Sequence, residues 1–356
     1  MIAQDQIIVY GGTSNHIMDD VALRLAKNQL GYNELKFTHV IHKTWGDREP
    51  GFRLNRFDQI EGKTVVIFSS PVDDKLELQL RDMVMACRWQ YGAKRIIVVM
   101  SFLRYRRQDH VDKQHEITRL RLFIKSLSDW GVNHLIVCDP HNAKKTSDFC
   151  REFNIDLSIA DPTELFVDAT RPLLLSSGLE NVVLFSPDFG SVERALAMAE
   201  RMNLPLVALP KRRINGRLEA VPDPHQFQDQ LITEYSPHVP LGCDISQLSG
   251  KIVVFREDEV DSGRTSAMQA WELHKVGVKA IYLLATHPVC SDGWRDNLFP
   301  YGERQPFTQV YMGDTRRRGD FTKTDYEGST GGEVTVVSMA PILAHWLVRV
   351  LENLTD

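Results

Sequence analysis

Residues 251–265 (KIVVFREDEVDSGRT) restrict the fold of this chain more than any other stretch. They begin with the apolar, β-branched run 252–255, which is typical of a buried strand in a parallel sheet. Four acidic residues come next: Glu257, Asp258, Glu259 and Asp261. The sequence SGRT at 262–265 then leads at once into a helical pattern of apolar residues. A strand, a short loop and a helix start in this order indicate one β-α unit of a parallel sheet.

The loop in this unit has the chemistry of a sugar-phosphate site. Backbone N–H groups at a helix N-terminus, with the hydroxyls of Ser262 and Thr265, can hold a phosphate dianion. The carboxylates of Glu257 and Asp258 suit ribose hydroxyls, or a Mg²⁺ between the sugar and a pyrophosphate. An acidic cluster alone is typical of a solvated turn. The complete spacing, with two acids, two other residues, an acid, a hydroxyl, a glycine, any residue and a threonine, favours a sugar phosphate held at both ends.

This spacing resembles the PRPP (phosphoribosyl pyrophosphate) loop of phosphoribosyltransferases and PRPP synthetases. The resemblance implies that the loop binds ribose 5-phosphate. The residues that it assigns to this role are Glu257, Asp258, Asp261, Ser262, Gly263, Arg264 and Thr265.

Strand and helix patterns alternate along the whole chain. Predicted strands lie at 6–10, 36–41, 64–68, 95–100, 134–138, 182–185, 206–209, 252–255 and 281–285. Predicted helices lie at 19–30, 75–89, 116–130, 192–201 and 340–351. The pattern resets near residue 160, so we predict two tandem α/β domains, each a mainly parallel doubly wound sheet flanked by helices. The predicted domains are 1–160, with the helix at 340–354 packed on it, and 161–339.

Two segments interrupt the alternation, at residues 214–249 and 292–332. The first is rich in proline and the second in glycine, arginine and tyrosine. Connections of this length are usually functional loops or mobile segments, and we expect these two to be so.

Bulk properties exclude several classes of protein. The formal net charge of −5 gives no basic surface for nucleic acid, so no nucleic-acid partner is expected. The five cysteines show no CxxC spacing and are expected to be reduced. No stretch reaches the ~20 apolar residues of a membrane-spanning helix, and the first residues do not resemble a secretion signal. We therefore expect a soluble cytoplasmic protein with no membrane partner.

Polar clusters follow several predicted strands, where open α/β sheets bind ligands. They are residues 104–109 (RYRRQD), 139–141 (DPH), 186–190 (SPDFG) and 211–213 (KRR). Each cluster alone has an ordinary structural interpretation: a packed histidine, a helix cap or a solvated basic face. Only their occurrence at successive strand ends favours a binding site.

The order of these clusters resembles the ribose-phosphate pyrophosphokinases, or PRPP synthetases, from about Ile8 to Leu351. The resemblance implies phosphoribosyltransferase-type domains and transfer of pyrophosphate from ATP to the 1-hydroxyl of ribose 5-phosphate. It assigns ATP binding to Trp45, Asp47 and Glu49, which would reach a neighbouring subunit's ATP, and to Arg107, Gln108 and Asp109. It also implies a homo-oligomer, a dimer at least and a hexamer by analogy.

The same resemblance assigns the remaining roles. Metal binding falls to His141 and Asp188, with Mg²⁺ as the cofactor, and catalysis falls to Lys211 and Arg213. Residues 286–288 (THP) match a further motif of the family. Residues 214–249 would then form a lid that closes over ATP and excludes water.

Departures from the family pattern leave the function open in several respects. Glu257 stands for an aspartate, Arg264 for a glycine and Pro210 for an aspartate, and the segment after Asp109 is short. The acceptor could therefore be a larger ribosyl 5-phosphate ester such as ADP-ribose. The chain could also be a phosphoribosyltransferase or a non-catalytic regulatory homologue. Regulation by phosphate and ADP is in doubt.

Overall fold

The computed structural model describes residues 2–12, 17–38, 40–47, 49–111, 116–186, 192–208, 211–214, 217–220, 241–242, 245–300, 304–316 and 334–354. The chain divides into two units. Unit 1 comprises Met1–Asp161 with Met339–Asp356, and unit 2 comprises Pro162–Ser338. The structure shows the predicted class of fold, with two tandem domains that each contain a parallel sheet flanked by helices.

Unit 1 is built on a parallel sheet. In chain order its strands are β1 (Ile7–Gly11), β2 (Phe37–Thr38), β3 (Val40–Thr44), β4 (Pro50–Leu54), β5 (Thr64–Phe68), β6 (Arg95–Met100), β7 (His134–Cys138) and β8 (Asp156–Ala160). The sheet order in the described part of the unit is β2-β1-β5-β6-β7-β8. Central β5 is buried along its whole length, which its apolar sequence TVVIF allows. The other two strands, β3 and β4, form a separate antiparallel hairpin.

Helices cover the sheet of unit 1. They are α1 (Ile17–Leu30), α2 (Asp74–Met85), α3 (Arg119–Trp130), α4 (Ala143–Glu152) and, from the end of the chain, α9 (Ala340–Glu352). The helix α9 packs on α1 and against β7 and β8. Their apolar stripes and the sheet bury a core that includes Leu80, Val98, Phe123 and Leu135. The helix α2 continues into a π-helical turn, Ala86–Gln90.

Unit 2 repeats this construction with a longer parallel sheet. Its strands are β9 (Val182–Ser186), β10 (Leu206–Ala208), β11 (Lys211–Ile214), β12 (Arg217–Ala220), β13 (Leu241–Gly242), β14 (Ile252–Val260), β15 (Ala280–Pro288), β16 (Gln309–Gly313) and β17 (Val334–Val337). The order of the described strands in the sheet is β13-β10-β9-β14-β15-β16-β17, and β11 pairs with β12 in a separate hairpin. The helices are α5 (Thr163–Ser176), α6 (Val192–Met202), α7 (Arg264–Lys275) and α8 (Trp294–Leu298).

Several predicted element bounds were wrong. The strand predicted at 36–41 is divided between β2 and β3, because the chain leaves the sheet there to form the hairpin. The helix predicted from 116 begins at Arg119. The predicted loop at 292–332 contains α8 and β16 in its described part, and Val310 and Met312 of β16 belong to the buried core of unit 2. A short helix or strand between turn residues contains too few residues for its periodic pattern to be recognised in the sequence.

Across the described residues, no helix combines the length and apolarity that crossing a membrane requires.

Candidate active site

Three of the four acidic residues after residue 255, Glu257, Asp258 and Glu259, lie in a strand and not in a loop. The strand β14 pairs with β9 as far as Phe255, and beyond that point it continues beside β15 as far as Val260. In this extension Glu257 lies opposite Ala285 and Glu259 lies opposite His287. Regular pairing places Glu257 and Asp258 on opposite faces of the sheet edge, with Asp258 more deeply buried. The prediction of a loop from 256 was wrong for these residues because charged side chains obscured the strand pattern.

The Gly263 loop, Asp261 to Thr265, joins this strand to α7. Gly263 has a φ of +71°, and a Cβ there would lie 2.7 Å from Cδ2 of the buried Leu298. Both the backbone conformation and the close approach require glycine. Arg264 and Thr265 are exposed in the first helical turn. The N–H groups of a first turn have no partner within the helix, so this end of α7 can receive an anion.

The segment after β15 supports the Gly263 loop. The Ser291 hydroxyl donates a hydrogen bond of 2.5 Å to Oδ1 of Asp261, and the Asn297 amide donates one of 2.9 Å to the Ser262 carbonyl. The backbone N–H of Ser291 also donates to the Asp261 carbonyl at 3.2 Å. These supporting residues were missed by sequence reasoning, because they follow the loop by about thirty positions and match no motif. They fix the loop backbone and the Asp261 carboxylate.

The Arg107 loop, Arg104 to Asp109, follows β6 in unit 1. The Tyr105 backbone is left-handed, with a φ of +60°, which is costly for an aromatic residue. The guanidinium carbons of Arg104 and Arg119 lie 4.5 and 4.2 Å from the centroid of its ring. Its hydroxyl donates to Oε2 of Glu77 at 3.0 Å and accepts from Arg119 at 2.9 Å. The loop conformation is therefore held by side chains of α2 and α3.

The contacts that hold the Tyr105 side chain include ion pairs and a partly buried phenol. Arg104 pairs with Glu77 and, at 2.5 Å, with the exposed Asp74. Burial, and then the hydrogen bond to Glu77, raises the pKa of the Tyr105 phenol above its ordinary value. The phenol, which is protonated at neutral pH in any case, keeps its proton to a higher pH and remains a donor to Glu77.

The three residues assigned to ATP in this loop differ in exposure. Arg107 and Gln108 are exposed at the sheet edge. The Asp109 side chain is only 3% exposed, contacts Nδ1 of His110 and lies 3.8 Å from Nζ of Lys145. The structure thus presents Arg107 and Gln108 outward, while Asp109 joins the loop to α4.

His141 lies at the end of the neighbouring strand. It is exposed in the turn between β7 and α4, where the Asn142 side chain caps α4 by accepting from the Lys145 N–H at 2.9 Å. Lys145 also donates to the Asp109 carbonyl at 3.3 Å. Because β6 and β7 are adjacent, Lys145 brings the His141 turn and the Arg107 loop together at one edge of the sheet.

Trp45, Asp47 and Glu49 lie at the tip of the β3-β4 hairpin. The Trp45 N–H donates to the Glu49 carbonyl at 2.9 Å, and the Glu49 N–H donates to Oδ1 of Asp47 at 3.0 Å. All three side chains are exposed, and the Lys43 ammonium lies 3.5 Å from the centroid of the Trp45 ring. The tip is a closed turn that presents an indole and two carboxylates to solvent.

An open groove of about 1270 Å³ lies along the second strand of this hairpin. We call it the aromatic groove, because its lining includes Phe52, Phe57, Trp89, Tyr91 and Trp130. Trp89, in the π-helical turn, is 65% exposed. Charges of both signs also line the groove: Arg53, Arg81, Asp82 and Asp129. Exposed aromatic side chains such as Trp89 make this groove a candidate contact surface.

The residues predicted for catalysis and metal binding in unit 2 are described only in part. The backbone of Lys211 and Arg213 lies in β11, opposite Ala220 and Leu218 of β12. Asp188 lies outside the described residues. Within the described ranges, no group of three acidic, histidine or cysteine side chains is arranged to hold a metal ion.

Comparison with known proteins identifies relatives of both units. Residues 7–131 match the family model for the N-terminal domain of ribose phosphate pyrophosphokinase. Ribose-phosphate pyrophosphokinase 1 of Streptococcus pyogenes is 28% identical over 305 residues, which cover 85% of this chain and 83% of the relative. The chloroplastic ribose-phosphate pyrophosphokinase 2 of Spinacia oleracea is 27% identical over 271 residues, and the match spans 75% of this chain but only 61% of that protein.

The fold has a solved counterpart. A crystal structure of phosphoribosylpyrophosphate synthetase from Mycobacterium smegmatis superposes with a TM-score of 0.72. The match covers 98% of this chain and 99% of that chain at 21% identity. At this identity the likeness establishes the two-domain fold alone.

Proposed function

Because residues 7–131 match the N-terminal domain of ribose phosphate pyrophosphokinase and most of the chain aligns with a pyrophosphokinase relative, we propose that it transfers pyrophosphate from MgATP to the 1-hydroxyl of ribose 5-phosphate. The products are PRPP and AMP, which serve nucleotide biosynthesis. The observation that carries the proposal is the Gly263 loop, in which a glycine-dependent helix N-terminus follows directly after a strand that ends in carboxylates. A ribose ring between these features would have its 5-phosphate at the helix and its hydroxyls at Glu257 and Asp258.

The reaction breaks the bond between the α-phosphate and the β-phosphorus of ATP. The ribose 1-hydroxyl attacks the β-phosphorus, loses its proton and forms the new ester, while AMP leaves with the electron pair of the broken bond. Negative charge spreads over the phosphoryl oxygens in the transition state. Lys211 and Arg213 are proposed to stabilise this charge, since fixed cations are the main catalytic contribution that a protein makes to phosphoryl transfer.

Unit 1 is proposed to bind the nucleotide. Arg107 and Gln108 offer exposed donors on a loop whose backbone is fixed by Tyr105 and Glu77. Asp109 contributes mainly by holding the loop to Lys145. A guanidinium on a fixed loop suits phosphate recognition because its donors match phosphate oxygens in pairs.

Magnesium is the proposed cofactor. Mg²⁺ prefers oxygen ligands and keeps several waters, so substrate phosphates would supply much of its shell. Glu257 and Asp258 offer carboxylates of the right kind near the proposed sugar, and His141 and Asp188 are proposed as further ligands. When bound, the ion would neutralise charge on the transferred phosphoryl groups.

We propose a homo-oligomer, a dimer at least, in which the aromatic groove packs on another copy. The groove lies along the hairpin that carries Trp45, Asp47 and Glu49, so a partner that receives the tip would also meet the groove. The rim charges of both signs suit a surface that pairs with itself. Light scattering should show a smaller assembly for Trp89→Glu and an unchanged one for Met268→Glu, an exposed apolar residue of unit 2. Identical masses for both variants and the parent would exclude this interface.

We also propose a cytoplasmic location. The described cysteines, Cys87, Cys138, Cys150 and Cys290, are free and buried, which suits a reducing compartment. Localisation of a fluorescent fusion to any other compartment would overturn the proposal.

The test of the activity is the formation of AMP and PRPP from MgATP and ribose 5-phosphate by the purified chain. Lys211→Ala should lower the rate by about a hundredfold or more. Arg212→Ala, which lies between the two proposed catalytic residues and has no assigned role, is the matched control. If the parent chain forms no AMP, the proposed activity is wrong. If Lys211→Ala retains full activity, the catalytic role of Lys211 is wrong.

A further inference from the structure

Arg256 is a buried charge directly before the carboxylates of β14. Its side chain is only 1% exposed, among the largest fully buried side chains of the molecule. Most arginines lie at the surface, and those inside a protein are paired and hydrogen-bonded. A guanidinium in the middle of a sheet therefore needs a structural or functional reason.

The contacts of Arg256 join two strand ends. Nη2 donates to Oγ1 of Thr286 on β15 at 2.9 Å, and Nη1 donates to the backbone carbonyl of Glu257. The guanidinium carbon lies 4.5 Å from the ring centroid of Phe166 on α5. One side chain thus holds the Glu257 backbone, the end of β15 and the covering helix.

The network continues to a third strand. Thr315, just after β16, donates its hydroxyl to the Thr286 carbonyl at 3.2 Å and lies 2.8 Å from Nδ1 of His287. Thr286, His287 and Thr315 are completely buried. Buried hydrogen bonds of this kind favour one arrangement of the backbone, because breaking them leaves further polar groups buried without partners.

Along β14 this network lies directly before the residues of the proposed sugar site. Arg256 is the first residue of β14 beyond its pairing with β9, so the extension that carries Glu257 and Asp258 lacks a strand on that side in the described ladder. Side chains two positions apart share a face of a strand, so Arg256 and the buried Asp258 lie on the same face. A fixed cation on this face favours an ordered carboxylate there.

We propose that Arg256 is a positioning residue that fixes the strand end carrying the Glu257 and Asp258 carboxylates before the ribose hydroxyls arrive. This inference rests on the proposed function of the same site. Arg256 has no contact with substrate in this scheme. It acts through the Glu257 backbone and the end of β15, and it offsets negative charge in a strand end that carries several acids.

The test compares Arg256→Met with Arg256→Lys in the full-length chain. Methionine fills similar apolar space but removes the charge and both donors, and lysine restores the charge without the fork. Arg256→Met should raise the KM for ribose 5-phosphate about tenfold, as expected for loss of hydrogen bonds from a charged group, and leave the KM for ATP within about twofold. Arg256→Lys should recover part of the loss. An Arg256→Met variant with an unchanged KM for ribose 5-phosphate would overturn the proposal.

Two further variants separate positioning from general destabilisation. Val254→Ala removes buried volume from the same strand, two residues before Arg256, and should lower the melting temperature without changing either KM. Thr286→Val removes the acceptor on β15 and keeps Arg256, so it should raise the KM for ribose 5-phosphate about threefold. If Arg256→Met does not fold, an unchanged KM in Thr286→Val overturns the proposal.

A binding measurement distinguishes this inference from the proposed activity. Ribose 5-phosphate should raise the melting temperature of the parent chain more than that of Arg256→Met. If the parent turns over substrate and the two shifts are equal, the positioning role is wrong and the activity stands. If the parent binds ribose 5-phosphate without turnover and the shifts differ, the positioning role stands and the activity is wrong. If the parent neither binds nor reacts, both are wrong.

Discussion

The Gly263 loop of unit 2 and the Arg107 loop of unit 1 are built in different ways. The Gly263 loop is a continuous strand, turn and helix start, fixed mainly by a glycine conformation and by hydrogen bonds to its backbone. The Arg107 loop is held from outside by side chains of α2, α3 and α4, many of them charged. A continuous backbone unit can be recognised in a sequence together with what fixes it, whereas the distant side chains that fix the Arg107 loop cannot be identified from the sequence.

The largest effect should come from Gly263→Ala. The new Cβ meets Leu298 at 2.7 Å in a left-handed backbone, so the helix start must move. A displacement of this kind should lower kcat/KM for ribose 5-phosphate about a hundredfold. It should also lower the free energy of unfolding by about 1–3 kcal/mol.

The matched control is Gly277→Ala, at a φ of +86° just after the other end of α7. It should lose a similar amount of stability and keep the kcat/KM of the parent. Equal loss of kcat/KM in both variants would mean that the Gly263 loop matters only for stability.

A smaller effect should come from the support of the Arg107 loop. Glu77→Gln removes the partner of Arg104 and weakens the acceptor of the Tyr105 hydroxyl. The loop should lose its fixed conformation, and the KM for ATP should rise about fivefold with the KM for ribose 5-phosphate unchanged.

Asp74→Asn is the control for that variant, because Asp74 contacts the same Arg104 but is exposed to solvent. Exposed ion pairs contribute little, so its steady-state kinetics should match the parent. The comparison fails if Asp74→Asn raises the KM for ATP as much as Glu77→Gln.

The smallest effect should come from Ser291→Ala. This change removes one hydrogen bond to the Asp261 carboxylate, while the backbone contacts of the Gly263 loop remain. The KM for ribose 5-phosphate should rise about threefold. If Ser291→Ala lowered kcat/KM for ribose 5-phosphate more than Gly263→Ala does, side chains and not the backbone would define this loop.

The parts of the site differ in how far they could be predicted from the sequence. In residues 261–265 the glycine and the two hydroxyl residues follow a specific spacing that predicts a helix start, and the structure confirms the helix start there. The support by Ser291 and Lys145 depends on which strands are neighbours, which no local pattern contains. The burial of Arg256 was missed for a different reason: a charged residue after an apolar run normally indicates the end of a strand.

The helices and strands also differ in how well the sequence predicted them. Elements with a continuous apolar run or a clear helical period, such as β5 and α3, were predicted close to their observed places. The strands β4 (PGFRL) and β16 (QVYMG) were missed, because glycine, proline and polar residues interrupt their short apolar runs. The ATP-binding role of Asp109 stays a prediction; its burial between His110 and Lys145 is a tertiary property that no local pattern contains.

The most direct measurement is phosphorus NMR of the parent chain with MgATP and ribose 5-phosphate. We expect AMP and a ribose 5-phosphate that carries a new diphosphate on its 1-hydroxyl, formed in equal amounts. Formation of ADP with a single new phosphate ester, or release of AMP without a sugar diphosphate, would contradict pyrophosphoryl transfer.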